Sequence, residues 1–222
     1  MENVRGWAAV SLFFTAVWLV LMVFSVSQTG AVSTIEQALD YAVNSGLLFQ
    51  ATYVNAVLVT LAVTVFFAYL SEFCKSLNPG FAVTGIVFVS VYCLLNLFVY
   101  FSQITILPRL LAAVHTSANP EIYRILAGQF VQLWPGSVTA ILNQLAYGLL
   151  GIPSILFGIL LIQHRETWSL AGWLLVLNGM ACIIGIFGTV AGNSLLAAGS
   201  VAGGALFLFA MLAITMKKGT LS

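Results

Sequence analysis

Six long apolar stretches run through this chain of 222 residues, and none of them contains a charged side chain. They cover residues 7–27, 46–70, 81–107, 138–163, 168–190 and 194–216. A helix needs about 20 apolar residues to cross the hydrocarbon core of a bilayer, and each stretch is long enough. The sequence therefore predicts an all-α polytopic membrane bundle of six transmembrane helices, which form a single domain over residues 1–222.

The composition excludes a water-soluble class of protein. Charged residues make up 6% of the chain and hydrophobic residues 61%, whereas soluble domains carry about 25% charged residues. The formal net charge of +1 provides no basic surface for a nucleic acid. We expect membrane lipids as partners and no nucleic acid.

The connections between the stretches predict how the chain is oriented. Cytoplasmic loops of membrane proteins carry an excess of Lys and Arg. If the N-terminus is cytoplasmic, the inner side holds Arg5, Lys75, Arg165, Lys217 and Lys218, and the outer side holds Arg109 and Arg124. We therefore predict cytoplasmic N- and C-termini, with short inner turns at 71–80 and 164–166. The absence of glycosylation acceptors and of long soluble loops favours a prokaryotic plasma membrane.

Each of the two longer, outer connections predicts a short amphipathic helix. Ser33 to Glu36 follows the capping-box pattern, and Asn119 with Pro120 supplies an N-cap and an N1 proline. Apolar residues then recur at helical spacing, namely Ile35, Ala38, Leu39, Ala42 and Val43, and later Ile122, Ile125, Leu126, Phe130 and Leu133. We expect both helices to lie flat on the outer face, where they cover lipid-facing edges or form a lid over a pocket.

Polar side chains follow one face of the third span and one face of the fourth. The third span carries them at offsets of 0, 4, 8 and 11 residues and the fourth at 0 and 4, namely Tyr92, Asn96, Tyr100 and Gln103, and then Asn143 and Tyr147. At about 100° per residue, these offsets keep each set on one side of its helix. Facing lipid, these groups would lack hydrogen-bond partners. They predict a polar seam between the two spans, made either of interhelical hydrogen bonds or of the lining of a ligand site.

Small residues recur in the fifth and sixth spans. Gly188 and Gly192 form one GxxxG pattern, and Gly199 and Gly203 form another. Small residues allow helices to approach closely where lipid offers no hydrophobic drive for association. This pattern predicts either that the sixth span packs on the fifth, or that Gly199 and Gly203 form a face for a membrane protein partner or a homo-oligomer.

The spans lack the residues that most membrane chemistry requires. They contain no Asp, Glu, Lys, Arg or His, although ion-coupled transport usually depends on such a residue. Cys74, Cys93 and Cys182 form no CxxC pair, and neither His115 nor His164 has a second ligand at metal-binding spacing. The sequence therefore predicts no metal, no cofactor and no catalytic residue, and it does not favour an enzyme.

The fifth span opens with the run WSLAGWLLVLNG, from Trp168 to Gly179. With the six spans and the short inner turns, this run resembles small six-helix bacterial integral membrane proteins that are grouped as a domain of unknown function. The resemblance extends over most of the chain. It implies a six-helix architecture and no activity, cofactor or site residue.

Three functions remain open at this point. The first is a non-enzymatic membrane protein that binds a neutral or lipid-like small molecule in the polar seam between the third and fourth spans. The second is an accessory or scaffolding subunit of a larger membrane complex. The third is a facilitative channel or carrier for a neutral solute, which would need a polar path across the whole bilayer. The inner half of the third span disfavours such a path because it carries Ile86, Val87, Val89 and Val91.

Overall fold

A computed structural model describes residues 2–29, 32–164 and 168–217. Within these ranges the chain is helical and contains no strand. The helices are α1 (Glu2–Thr29), α2 (Ile35–Asn44), α3 (Gly46–Lys75), α4 (Pro79–Thr116), α5 (Pro120–Phe130), α6 (Val138–His164), α7 (Ser169–Val190), α8 (Ser194–Ala197) and α9 (Gly199–Met216). Six segments are long and apolar enough to cross a membrane: α1, α3, α4, α6, α7 and the α8–α9 pair. The predicted all-α polytopic bundle is confirmed.

The six spans form a ring. Each span contacts the next one along the chain, and α9 closes the ring by contacting α1. Both described chain ends lie together, because the Arg5 guanidinium donates a hydrogen bond to the backbone oxygen of Lys217. We call this the terminal end, and we call the opposite end, which carries α2 and α5, the capped end.

The predicted cytoplasmic location of both termini stays a prediction. Two residues that support it, Arg165 and Lys218, lie outside the described residues. The predicted inner turn at 164–166 also includes Arg165 and Glu166, which lie outside them as well.

Large apolar side chains cover the outside of the ring. Phe13, Leu94 and Leu170 are 63%, 69% and 63% exposed. On a soluble protein, a continuous apolar surface of this kind would cause aggregation. In a bilayer it faces lipid tails, which agrees with the low charge of the chain.

Aromatic side chains fill the terminal half of the ring. The ring of Phe67 packs on those of Phe66, Phe157 and Phe207, with centroid distances of 5.1, 6.0 and 6.0 Å. These four side chains come from α3, α6 and α9, and each is buried. They belong to one core cluster, which also includes Val4 of α1. The terminal half is therefore closely packed across the whole ring.

Paired glycines bring α6 and α7 into backbone contact. A Cβ atom on Gly151 would lie 2.6 Å from the Gly179 carbonyl oxygen, and one on Gly158 would lie 2.6 Å from that of Gly172. Real Cβ atoms do not approach oxygen so closely, so only glycine allows these two helices their present separation. The α6–α7 contact is therefore fixed at two levels, seven residues apart on each helix.

Small residues also hold α9 against α7, as the sequence predicts for the fifth and sixth spans. A Cβ on Gly199 would lie 2.6 Å from the Ala181 carbonyl oxygen, and one on Gly203 would lie 2.6 Å from the Cys182 sulfur. The predicted pairing of Gly188 with Gly192 in one packing motif is wrong. Gly192 adopts φ +66° in the turn after α7, where a left-handed backbone favours glycine, and it has open space beside it.

Two predicted helix boundaries differ from the structure. The third span does not end at Leu107, because α4 continues through Pro108 to Thr116. Proline removes only one backbone hydrogen bond, and Leu110 and Leu111 beyond it pack on the core at the capped end. The capping box of the first short helix lies one residue later than predicted. Thr34 is the N-cap of α2, and its partner is Gln37, whose side chain also accepts from the Ser33 amide at 2.8 Å.

Both short helices lie at the capped end, and two small residues of α5 are its most buried contacts with the bundle. Ala127 and Gly128 are buried, whereas Ile122 and Ile125 are 56% and 58% exposed. Gly128 fits closely against the Ile35 side chain of α2. Part of the predicted apolar face of α5 therefore points away from the bundle, namely Ile122, Ile125 and Leu126, whereas Phe130 and Leu133 pack on the core at the capped end.

We expect the Gly158→Ala variant to be less stable than the wild type by about 1–3 kcal/mol, the usual cost of overpacking a core. The new methyl group would collide with the backbone of α7, which cannot move aside without opening the contact. Thermal unfolding in detergent micelles would measure this loss.

Gly204→Ala is the matched control, because a Cβ at that position has nothing within 4 Å. Alanine is also more favourable than glycine inside a helix, by about 1 kcal/mol in free energy. Equal unfolding temperatures for the two variants would contradict the proposed role of the α6–α7 contact.

Candidate functional site

A cavity of about 440 Å³ lies inside the ring, in the half nearer the capped end. All six spans contribute to its lining, together with Gln132 and Leu133 of the segment that joins α5 to α6. Its volume falls in the range of ligand pockets, about 300–1,000 Å³. None of the described residues that line it is charged. The cavity is thus a large neutral space in a bundle that is closely packed elsewhere.

Tyrosines form the wall on the α4 and α6 side. The hydroxyl groups of Tyr100 and Tyr147 are 2.9 Å apart and share a hydrogen bond. The rings of Tyr92 and Tyr147 are 6.0 Å apart, and Tyr53 of α3 lies 6.2 Å from Tyr100. In the Tyr100–Tyr147 pair one hydroxyl donates, so the accepting hydroxyl still has its own hydrogen to offer. This wall can donate a hydrogen bond into the cavity.

Two asparagine side chains provide acceptors. The Asn178 amide nitrogen of α7 donates to the Gly203 carbonyl oxygen of α9 at 2.8 Å. That bond directs the Asn178 Oδ1 atom elsewhere, and this oxygen is buried without a partner among the described residues. The Oδ1 atom of Asn143 is also buried and unpartnered there. Both residues are part of the cavity lining, so each oxygen is an unused acceptor in the wall of the cavity.

Four of the six predicted site residues line the cavity: Tyr92, Tyr100, Asn143 and Tyr147. Their juxtaposition follows from the antiparallel contact of α4 with α6, which brings the two polar stripes together. The binding of a ligand by these side chains stays a prediction.

Gln103, the fifth predicted residue, is not part of the cavity lining. Its side-chain nitrogen donates to the Phe130 carbonyl oxygen at 2.7 Å, and its side-chain oxygen accepts from the Gln132 amide at 3.1 Å. Gln103 therefore attaches the α5–α6 segment to α4. Gln132 and Leu133 form part of the cavity wall, and we call this part the roof of the cavity. Gln103 therefore holds the roof in place without lining the cavity itself.

Asn96, the sixth predicted residue, is buried behind the lining. Its side chain is fully buried and lies beside the Tyr92 hydroxyl. Neither its amide nitrogen nor its amide oxygen makes a hydrogen bond within the described part of the chain. Asn96 is thus close to the tyrosine wall without contacting the cavity itself.

The predicted seam of two helices misses most of the lining. Residues of α1 and α9 also line the cavity, among them Trp18, Leu19, Val201 and Gly204. In the ring order, the contact between α1 and α9 lies opposite the contact between α4 and α6. The cavity therefore has a polar side at α4 and α6 and a more apolar side at α1 and α9. Nothing in the apolar sequence of α1 distinguishes a lining residue from one that faces lipid.

The described lining of the cavity consists of neutral side chains. No cluster of three His, Cys, Asp or Glu side chains occurs among the residues that the structure describes. The lining offers hydroxyl, amide and apolar contacts, which suit the non-covalent binding of a neutral molecule.

We expect Gln103→Leu to loosen the roof of the cavity and to destabilise the protein by about 1–3 kcal/mol, the cost of leaving a buried polar group unpaired. The Gln132 amide would lose its partner, although Phe130 would keep a hydrogen bond from Thr139 at 2.8 Å. Hydrogen exchange at residues 130–133 should become faster.

Gln129→Leu is the control for this experiment, because Gln129 is exposed on α5. If both variants showed the same exchange at residues 130–133, the proposed attachment would be wrong.

Comparison of the chain with protein-family models, with curated proteins and with solved structures found no match. The resemblance to six-helix bacterial membrane proteins therefore stays a prediction.

Proposed function

We propose that this integral membrane protein binds a neutral, largely apolar small molecule in the central cavity. The observation that carries the proposal is a neutral cavity of about 440 Å³ whose lining includes Asn143 and Asn178, and the buried side-chain oxygens of these two residues have no partner among the described residues. A buried polar atom without a hydrogen bond costs about 1–3 kcal/mol. A ligand that donates a hydrogen bond would remove this cost, so the cavity is more favourable when it is occupied.

The lining also indicates the chemistry of the ligand. Its polar groups are two amide acceptors and a tyrosine pair that retains one hydroxyl donor. A hydroxyl group both donates and accepts, so it complements this arrangement. The absence of charge from the described lining disfavours an ion, because a charged group in a low-dielectric cavity needs an opposite charge. A neutral amphiphile with a hydroxyl-bearing head and an apolar tail fits best.

A channel is less well supported by the structure. A continuous polar path would have to pass through the terminal half of the ring. There the core contains four buried aromatic rings, those of Phe66, Phe67, Phe157 and Phe207. Phe207 also lines the cavity, so the cavity borders directly on this core. A cavity that ends on a packed core favours binding over passage.

The role of an accessory subunit has no specific observation in its favour. Gly199 and Gly203, the predicted partner face, are in contact with α7. Another protein would reach them only if α9 left α7. A partner at another surface stays a prediction.

We expect Asn143→Leu to weaken ligand binding without lowering stability. The substitution removes one acceptor from the cavity, and a single hydrogen bond contributes about 0.5–1.5 kcal/mol, or roughly a two- to tenfold change in affinity. Stability should stay the same or rise, because the same substitution removes a buried atom without a partner. Titration of the purified protein with a monoacylglycerol, followed by native mass spectrometry, would measure the affinity.

Asn96→Leu is the matched control, since it also removes a buried amide side chain but Asn96 is not one of the lining residues. It should lower the affinity less than Asn143→Leu does. Failure of the wild type to retain any small molecule, either from its own membrane or in the titration, would overturn the proposed function.

A further inference from the structure

The weakest side of the ring is the contact between α1 and α9. In the most apolar 18-residue segment of each span, 17% of the residues of the first span and 22% of those of the sixth are buried. The corresponding fractions are 50% for α3 and 56% for α6. Because burial measures how much of a helix is covered by its neighbours, the first and last spans form the thinnest part of the wall.

At the terminal end, α1 and α9 are held together. The Arg5 side chain bonds to the backbone of Lys217. Val4 and Ala8 of α1 lie in the same core cluster as Ala210 and Ile214 of α9. The lower part of this contact is therefore closed.

Toward the capped end, the two helices are held by different neighbours. The α9 helix is attached to α7 by the close contacts of Gly199 and Gly203 and to α6 by a hydrogen bond from Ser200 to the Gln144 side chain. The α1 helix is attached to α3, because the Asn55 amide donates to the Phe14 carbonyl oxygen at 2.9 Å. These attachments lie on opposite sides of the α1–α9 contact, so they favour a gap between the two helices.

Residues at this gap both line the cavity and face the outside of the bundle. Leu19 of α1 is 42% exposed and Val201 of α9 is 76% exposed. Gly204 and Ala205 are exposed lining residues as well. A Cβ on Gly204 would have nothing within 4 Å. These residues separate the cavity from the outside of the bundle, and we call the place between Leu19 and the Val201–Ala205 segment the lateral gap.

We propose that the ligand reaches the cavity sideways through the lateral gap, from the bilayer leaflet at the capped end. This inference rests on the proposed function, and it identifies the ligand as a membrane-resident, single-chain neutral amphiphile. The gap opens on the apolar outside of a spanning bundle, where lipid tails surround it.

The lining orients such a molecule. The hydroxyl-bearing head lies against Tyr147 and Asn143 on the far side of the ring, and the tail extends to the apolar mouth between α1 and α9. Access from water along the axis of the ring is less direct, because the Gln132 and Leu133 segment covers the cavity and is attached through Gln103. A water-soluble ligand would have to displace that segment, whereas a lipid needs no such movement.

Gly204→Trp tests the route, because the indole ring would fill the gap from a position with free space. Ala202→Trp is the control, since Ala202 is exposed on the same helix and is not a lining residue. Each protein is reconstituted in phosphatidylcholine vesicles. A monoacylglycerol with a diazirine in its acyl chain is then supplied from donor vesicles, and the samples are flashed with light at successive times. Mass spectrometry measures labelling of cavity peptides that contain Tyr92 or Tyr147.

The wild type and Ala202→Trp should be labelled in the cavity with the same time course. Gly204→Trp should be labelled about tenfold more slowly, which corresponds to about 1.4 kcal/mol of added barrier. Cavity labelling at the wild-type rate in Gly204→Trp would overturn the lateral route but leave the binding function intact. If the wild-type cavity is not labelled at all, both the route and the proposed function are overturned. Equal unfolding temperatures for the two variants would show that both are folded.

Discussion

The backbone contacts between α6, α7 and α9 determine how the rest of the bundle is arranged. Lipid tails are as apolar as the helix surfaces, so helices in a membrane associate through close packing and hydrogen bonds. Glycines on α6 and α7 provide that packing at two levels, and Gly199 and Gly203 extend it to α9. Three helices thus form one closely packed wall. The α1 helix lacks such contacts and is held mainly through α3, which makes its contact with α9 the weakest in the ring.

Hydrogen bonding separates the structural polar residues from those that face the cavity. Gln103 and Asn55 donate to backbone oxygens of neighbouring elements, and they stabilise the roof and the position of α1. Asn178 does both, because its nitrogen bonds to α9 while its oxygen stays unpaired among the described residues. In an apolar interior an unpaired oxygen is costly. Its presence in the wall of the cavity supports the proposed binding of a molecule that donates a hydrogen bond.

The two halves of the ring differ in how closely they are packed. The terminal half buries a cluster of phenylalanines and provides stability without a polar path. The half at the capped end contains a cavity and is less closely packed. Hydrogen bonds and the segment that follows α5 connect the helices around this cavity. Cavities lower stability in proportion to their volume. A bundle that keeps a cavity of about 440 Å³ beside a closely packed core is consistent with a binding role.

The sequence by itself determined the class of the protein, the six spans, the neutral interior and the two polar stripes, because hydropathy and helical spacing are properties of one helix at a time. It also placed Tyr92, Tyr100, Asn143 and Tyr147 on faces that turn inward. Only the tertiary structure decided that Gln103 bonds to the roof, that the Asn178 side-chain oxygen has no partner among the described residues, and that α1 and α9 complete the cavity. Hydrogen-bond partners and empty volume depend on helices that are distant in the chain, and the spacing of residues within one helix carries no information about them.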